Sequence, residues 1–185
     1  MLPFRPLTRF FCMKLARTLL LILLPLWPAA APAAESGRSG PLAWLNWNQG
    51  VSEASITKRP MLVDVYTDWC GWCKRMDRDV YARDDVREYL NRHFIVVKLN
   101  AESAEEARYG DRTLTARALA QQLRVSGYPT TIFLRPNGEH IANVPGYIPA
   151  DRFKRMLRYI GEDHIGRGVS WQEFEKSAAA GPIRP

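Results

Sequence analysis

Two cysteines, Cys70 and Cys73, stand in Trp69-Cys70-Gly71-Trp72-Cys73-Lys74, directly after the apolar run Met61-Leu62-Val63-Asp64-Val65-Tyr66. Thiols at this spacing, where a strand ends and a helix can begin, form a dithiol/disulfide redox unit. With Cys70 at the helix start, free backbone N–H groups and the positive end of the helix dipole favour its thiolate. Cys73 falls about one turn later, close enough to close a disulfide and shielded from outside partners. Cys70 can then attack a target disulfide, and Cys73 can resolve the mixed disulfide and release the product. Half of a zinc site is the competing reading, and it lacks ligands. The only other cysteine is Cys12, near the N-terminus, and His93, His140 and His164 would have to complete the set without a second Cys-x-x-Cys. The redox reading is favoured, with no metal and no cofactor expected.

The N-terminal 34 residues read as a secretory signal. Arg5, Arg9, Lys14 and Arg17 make a basic start, Leu19-Leu20-Leu21-Ile22-Leu23-Leu24 an apolar stretch, and Ala31-Pro32-Ala33 a small-residue cleavage pattern near Ala33 or Ala34. The apolar part is 16 residues long and broken by prolines, short of the ~20 that span a bilayer. Met13 would serve as a start as well as Met1. Export to the periplasm or beyond is therefore expected, with membrane contact only if the signal is retained as an anchor. Cleavage takes four of the 26 Lys+Arg residues, leaving 22 against 19 Asp+Glu and a net charge of +3. Arg152, Lys154, Arg155 and Arg158 then read as the solvated face of a helix, and no nucleic-acid function is expected.

The remaining chain is long enough for one domain with a substantial core. Its expected parts are a signal at 1–34, a flexible leader at 35–43, a domain at 44–162 and a C-terminal extension with a short helix at 163–185. Val51–Lys58 reads as a short helix ended before Pro60, and Met61–Tyr66 as a buried strand. A helix from Gly71 carries Cys73, Met76, Val80 and Tyr81, with Asp84 available to cap its continuation through Val86 and Leu90. Phe94–Leu99 is the next strand, which through so long a connection should pair parallel to the first. The polar stretch 101–112 reads as a surface excursion, in part helical, before a helix over Leu114–Arg124. Ile132–Leu134 and Ile141–Val144 flank Pro136-Asn137-Gly138, a strong hairpin signal. Pro149 suits the first turn of a helix carrying Phe153, Met156, Leu157 and Ile160. Ser170-Trp171-Gln172-Glu173 matches a capping box opening one more short helix.

That order, with the cysteine pair after the first strand and Gly127-Tyr128-Pro129-Thr130 before the hairpin, resembles the thioredoxin fold over roughly residues 45–162. It implies an α/β domain with a central mixed sheet flanked by helices. Within that family the run Lys58–Cys70 is most similar to secreted bacterial thioredoxin-like proteins, among them SoxW-like thioredoxins and the C-terminal domain of DsbD-type proteins. The resemblance implies that Asp64 is a buried acid beneath the disulfide, able to take the proton of Cys73 as it attacks. It implies an assisting acid at Asp77, a cis-proline at Pro129 that aims nearby backbone at a docked peptide, and supporting roles for Trp69, Gly71, Trp72 and Tyr128. Gly71-Trp72 replaces the Gly-Pro of cytosolic thioredoxins, which frees a backbone N–H near Cys70 and pushes toward a more oxidising couple.

The expected function is an exported thiol:disulfide oxidoreductase that reduces disulfides of other proteins and is recharged by a membrane thiol-reductant donor. A disulfide oxidase or isomerase of the same fold is the nearest alternative. A thioredoxin-fold assembly factor with incidental thiols is the alternative from another class.

Overall fold

A computed structural model of the protein describes residues 40–180. The expected signal segment, with Cys12 and the cleavage pattern near Ala33 or Ala34, lies outside the described residues. Among the described residues no helix is long and apolar enough to cross a membrane.

The elements in chain order are α1 (Trp47–Thr57), β1 (Met61–Tyr66), α2 (Gly71–Met76), α3 (Asp84–His93), β2 (Ile95–Asn100), β3 (Glu106–Tyr109), β4 (Arg112–Thr115), α4 (Ala116–Gln122), β5 (Thr130–Leu134), β6 (His140–Pro145), α5 (Ala150–Gly161) and α6 (Trp171–Ala180). A π-helical turn, Asp77–Tyr81, links α2 to α3. The main sheet runs β2-β1-β5-β6. β1 is parallel to β2, because the helical connection between them returns the chain to the same end of the sheet. β5 is antiparallel to both β1 and β6, and Pro136-Asn137-Gly138 makes the hairpin between them.

β1 is buried on both faces, as its near-continuous apolar run requires of a central strand. Alternation divides its side chains between two cores. Met61, Val63 and Val65 pack with Trp47, Val97, Leu119 and Ile132 on the side of α1 and α4. Leu62 packs with Met76, Tyr81, Leu90, Phe133 and Phe153 on the side of α2, α3 and α5. Asp64 shares the parity of Leu62, so it faces the layer that carries the cysteines.

Five elements depart from the sequence reading. α1 begins at Trp47 rather than Val51, because Asn46 accepts the Gln49 N–H and the Gln49 side chain accepts the Asn46 N–H, a capping box with Asn in the Ser/Thr place. The helix from Gly71 is not uniform. Ala82 N–H donates to Asp77 O, and the widened turn lets adjacent Val80 and Tyr81 both enter the core. Asp84 does not cap α3. Arg83 holds the N-cap position, while Asp84 and Asp85 sit in the first turn, where the helix dipole favours carboxylates. The excursion 101–112 holds no helix. Glu106–Tyr109 and Arg112–Thr115 form a hairpin about Gly110, whose φ of +58° suits glycine, and α4 starts only at Ala116. The hairpin is tethered by α1, since Trp47 Nε1 donates to Arg108 O and Asn48 bonds both Glu106 O and Arg108 N. Pro149 stands at the N-cap of α5, one residue before the helix proper.

Candidate active site

Cys70 is the N-cap residue of α2, reached from β1 by the turn Thr67–Trp69, which closes with Cys70 N–H on Thr67 O at 3.1 Å. Cys70 and Cys73 are joined as a disulfide, their Cα atoms 5.3 Å apart. Exposure does not separate the two, at 4% and 2%. Position does: the Cys73 backbone N–H donates to Cys70 Sγ at 3.0 Å. A sulfur that caps a helix receives an otherwise unpaired donor, which favours its negative charge.

Two exposed tryptophans frame this pair, Trp69 at 67% and Trp72 at 55%. Trp69 meets Tyr128 edge-on, ring centroids 5.9 Å apart, and its indole N–H donates to Glu102 Oε2 at 3.0 Å. Trp72 rests against Tyr147 at 5.6 Å. The peptide bond Tyr128–Pro129 is cis, and Pro129 itself is buried. Gly71, the first residue of α2, has open space where a side chain would stand.

A charge cluster links β1 and β2 to the C-terminal end of α2. Asp64 is fully buried, and its Oδ2 accepts from Lys98 Nζ at 2.5 Å. The same ammonium donates to Asp77 Oδ1 at 2.6 Å. The strand register makes the first contact, because Asp64 on β1 lies opposite Lys98 on β2. The ammonium is also held over the rings of Trp44, Tyr66 and Tyr81, at 4.8, 5.1 and 5.5 Å from their centroids.

Burial raises the Asp64 pKa above 3.8, and Lys98 pulls it part of the way back. Burial pulls Lys98 down, but Asp64 and Asp77 beside it more than offset this, so it ends above 10.5 and charged. Burial also pushes the Tyr81 phenol well above 10, and the Asp64 charge adds to the push. Asp64 Oδ1, Tyr81 OH and Thr131 Oγ1 are buried without a hydrogen-bond partner among the described residues. Asp64 is thus a buried carboxylate whose pKa lies above the usual value, linked through Lys98 to the segment that follows Cys73.

The structure therefore joins Cys70 to Cys73 at the start of α2, which also carries Gly71 and Trp72, sets Trp69 against Tyr128 next to the cis bond to Pro129, and links Asp64 to Asp77 through Lys98. Sequence reasoning missed Lys98. Its signal was present, since a lysine inside Phe94-Ile95-Val96-Val97-Lys98-Leu99 is the same anomaly as an aspartate inside Met61–Tyr66. Glu102, Tyr81 and Tyr147 carried no comparable signal, because their roles arise from contacts between distant segments. Three of the four basic residues of α5 are paired, Lys154 with Asp85, Arg155 with Glu175 and Arg158 with Glu162.

Comparison with known proteins agrees with this geometry. The Thioredoxin-like domain family matches residues 47–161. The thiol:disulfide interchange protein DsbD of Tatumella citrea is 28% identical over 143 residues, 71% of this chain and 22% of that protein. DsbD of Yersinia enterocolitica is 30% identical over 108 residues, 57% of this chain and 17% of that protein. The chain thus spans about a fifth of the length of these curated relatives. Among solved structures, a thioredoxin-fold protein from Helicobacter pylori superposes with a TM-score of 0.58 at 24% identity, over 67% of this chain and 82% of that one. A thioredoxin from Thermus thermophilus gives 0.56 at 23%, over 65% and 88%. These two likenesses establish the fold.

Proposed function

We propose, because the chain belongs to the thioredoxin-like domain family, that it is a thiol:disulfide oxidoreductase working through Cys70 and Cys73. The observation that carries this is the Cys70–Cys73 disulfide with Cys70 at the N-cap of α2. In the reducing direction the Cys70 thiolate attacks a target disulfide. A Cys70–target bond forms, and the first target sulfur leaves as a thiolate. Cys73 then gives its proton to Asp64 and attacks the Cys70 sulfur, so that the Cys70–Cys73 disulfide forms and the second target sulfur leaves. Two electrons pass to the target, whose thiolates take up the two protons. Lys98 is a positioning residue that holds Asp64 and keeps it from being too weak an acid, while Asp77 shares the ammonium. The backbone beside Pro129 is where an extended target segment would add hydrogen bonds.

Reduction of protein disulfides is the favoured direction, by similarity to DsbD-type proteins. A couple nearer ~−270 than ~−120 mV in a redox titration supports it, and the reverse result makes the protein an oxidase. Export is supported by the basic and apolar N-terminal residues 1–34, and an exported reductant needs a thiol donor at the membrane to recharge it. N-terminal sequencing that finds Met1 or Met13 on membrane-bound protein would replace secretion with anchoring. The direct test of the activity is insulin reduction driven by a chemical reductant, together with trapping. Cys73→Ala should accumulate mixed disulfides and Cys70→Ala none. Background rates with the intact protein would leave a binding module.

A further inference from the structure

The rim around the disulfide carries more than apolar surface. Beyond Trp72 and Tyr147, the Arg75 guanidinium lies over both rings, 5.1 Å from the first centroid and 5.3 Å from the second. Arg75 Nε donates to Asp79 Oδ2 at 3.1 Å, and Arg78 Nε donates to the other oxygen of that carboxylate at 2.8 Å. Arg75 is 50% and Arg78 71% exposed. Lys74, the residue after Cys73, is exposed as well. Arg75 and Arg78 thus share one carboxylate, which leaves the ledge net positive.

The opposite rim inverts this character. Trp69 is tied to the carboxylate of Glu102, and Asp68 accepts from the Asn100 amide. The nearby cation, Arg117, is spent on a backbone oxygen, that of Glu102. Along the chain, Cys70 is therefore flanked by Trp69, tied to an acidic side chain, and by Trp72, which carries the cationic, aromatic ledge. The Arg75 fork lies over two rings, and only its Nε is committed to Asp79 among the described residues. A planar guanidinium so held matches a carboxylate with little further loss of side-chain freedom.

We propose that the Trp72–Tyr147–Arg75 ledge, with Arg78, is a recognition subsite for an acidic residue beside the attacked cysteine of a partner protein. The substrate class is then protein disulfides in an extended segment with Asp or Glu next to the target cysteine. Charge complementarity selects this occupant: a lysine at that place would meet two like charges and one carboxylate already shared by both arginines. The inference rests on the reading that Cys70 exchanges with protein disulfides.

Two peptides of one sequence test it, each joined by a disulfide to the same chromophoric thiol, with Glu or Lys beside the cysteine. The rate of chromophore release by the reduced protein is read for each, with uncharged hydroxyethyl disulfide as a third substrate. The Glu peptide should react faster by about three- to tenfold in ~20 mM salt, and the ratio should fall toward one in ~0.5 M salt. Arg75→Glu with Arg78→Glu should invert the ratio, and Arg75→Gln, which keeps most of the stem, should lower it. The ratio is insensitive to a general change in thiol reactivity. Equal rates for the two peptides, or a preference that survives the double charge reversal, overturns the proposal while exchange with hydroxyethyl disulfide still stands. If hydroxyethyl disulfide also fails to react, the exchange reading falls and the subsite with it.

Discussion

Asp64→Asn perturbs both the chemistry and the stability of the site, and the two effects have opposite signs. The carboxylate is fully buried, and burial holds its pKa above 3.8 against the pull of Lys98. Asparagine keeps the shape but takes no proton from Cys73. Attack by Cys70 should change little, while release of the mixed disulfide should slow by about 10²–10⁴ if no water substitutes as base. For stability, the folded pKa lies above the unfolded value, so folding favours the protonated acid. That contribution is complete below the unfolded pKa of about 3.9 and is lost as pH rises through the folded pKa. One proton gives a slope of at most ~1.4 kcal/mol per pH unit inside that window. Lys98 is charged in both states there and adds no slope until pH reaches about 10. Asp64→Asn should therefore gain on the wild type from about pH 4 upward, and the gain should level off once Asp64 ionises in the folded protein. Stopped-flow decay of a preformed mixed disulfide measures the first effect, and urea titrations across the same pH range measure the second. Unchanged resolution from about pH 6 to 9, with a stability difference that does not vary with pH, would refute the role of Asp64 as proton acceptor.

Lys98→Met removes the counter-charge of a buried carboxylate and should destabilise the fold by about 3 kcal/mol near neutral pH, and by less toward about pH 4, as Asp64 takes up its proton. Urea titrations at the two pH values check this, and an equal loss at both would show that packing around the Lys98 stem is the cause. In the reduced protein Cys70 should alkylate faster than Cys73, its pKa lying below the ~8.5 of free cysteine. Mass spectrometry of singly modified protein reads the order, and faster modification of Cys73 reverses the assignment. Gly50→Ala should lower stability by about 1–3 kcal/mol, because a methyl there runs into Val97 Cγ2 where α1 crosses β2. An unchanged thermal midpoint would mean that α1 shifts without loss.

The redox pair, β1, the parallel β2, the Pro136-Asn137-Gly138 hairpin and the α6 capping box were legible because each rests on neighbours in the chain. Ser170 and Glu173 do bond each other and each other's backbone, as their spacing requires. The hairpin at Glu106–Thr115 was not legible. Its strands are short and polar outside, with Ala107 and Leu114 directed inward, and it is held by Trp47 and Asn48 about 60 residues away. The π turn at Asp77–Tyr81 was hidden for a related reason. A single widened turn leaves the apolar spacing of a helix nearly intact, and only packing against Leu62 and Phe153 reveals it.

The chemistry of the site divides along the same line. Two thiols at this spacing, after a strand and at a helix start, suffice for the disulfide and for the difference between Cys70 and Cys73, because backbone N–H groups within one turn set both. An aspartate in an apolar strand announces burial, since desolvating it is too costly to occur without a partner. The partner itself is named only by the register of β1 on β2, which sets Lys98 opposite Asp64, and by the turn that brings Asp77 to the same ammonium. Three rings from separate segments, those of Trp44, Tyr66 and Tyr81, then enclose that charge. A titration tuned by burial and by charges a few ångströms away is a sum over space, so local sequence selects which groups can titrate and tertiary packing decides at what pH they do.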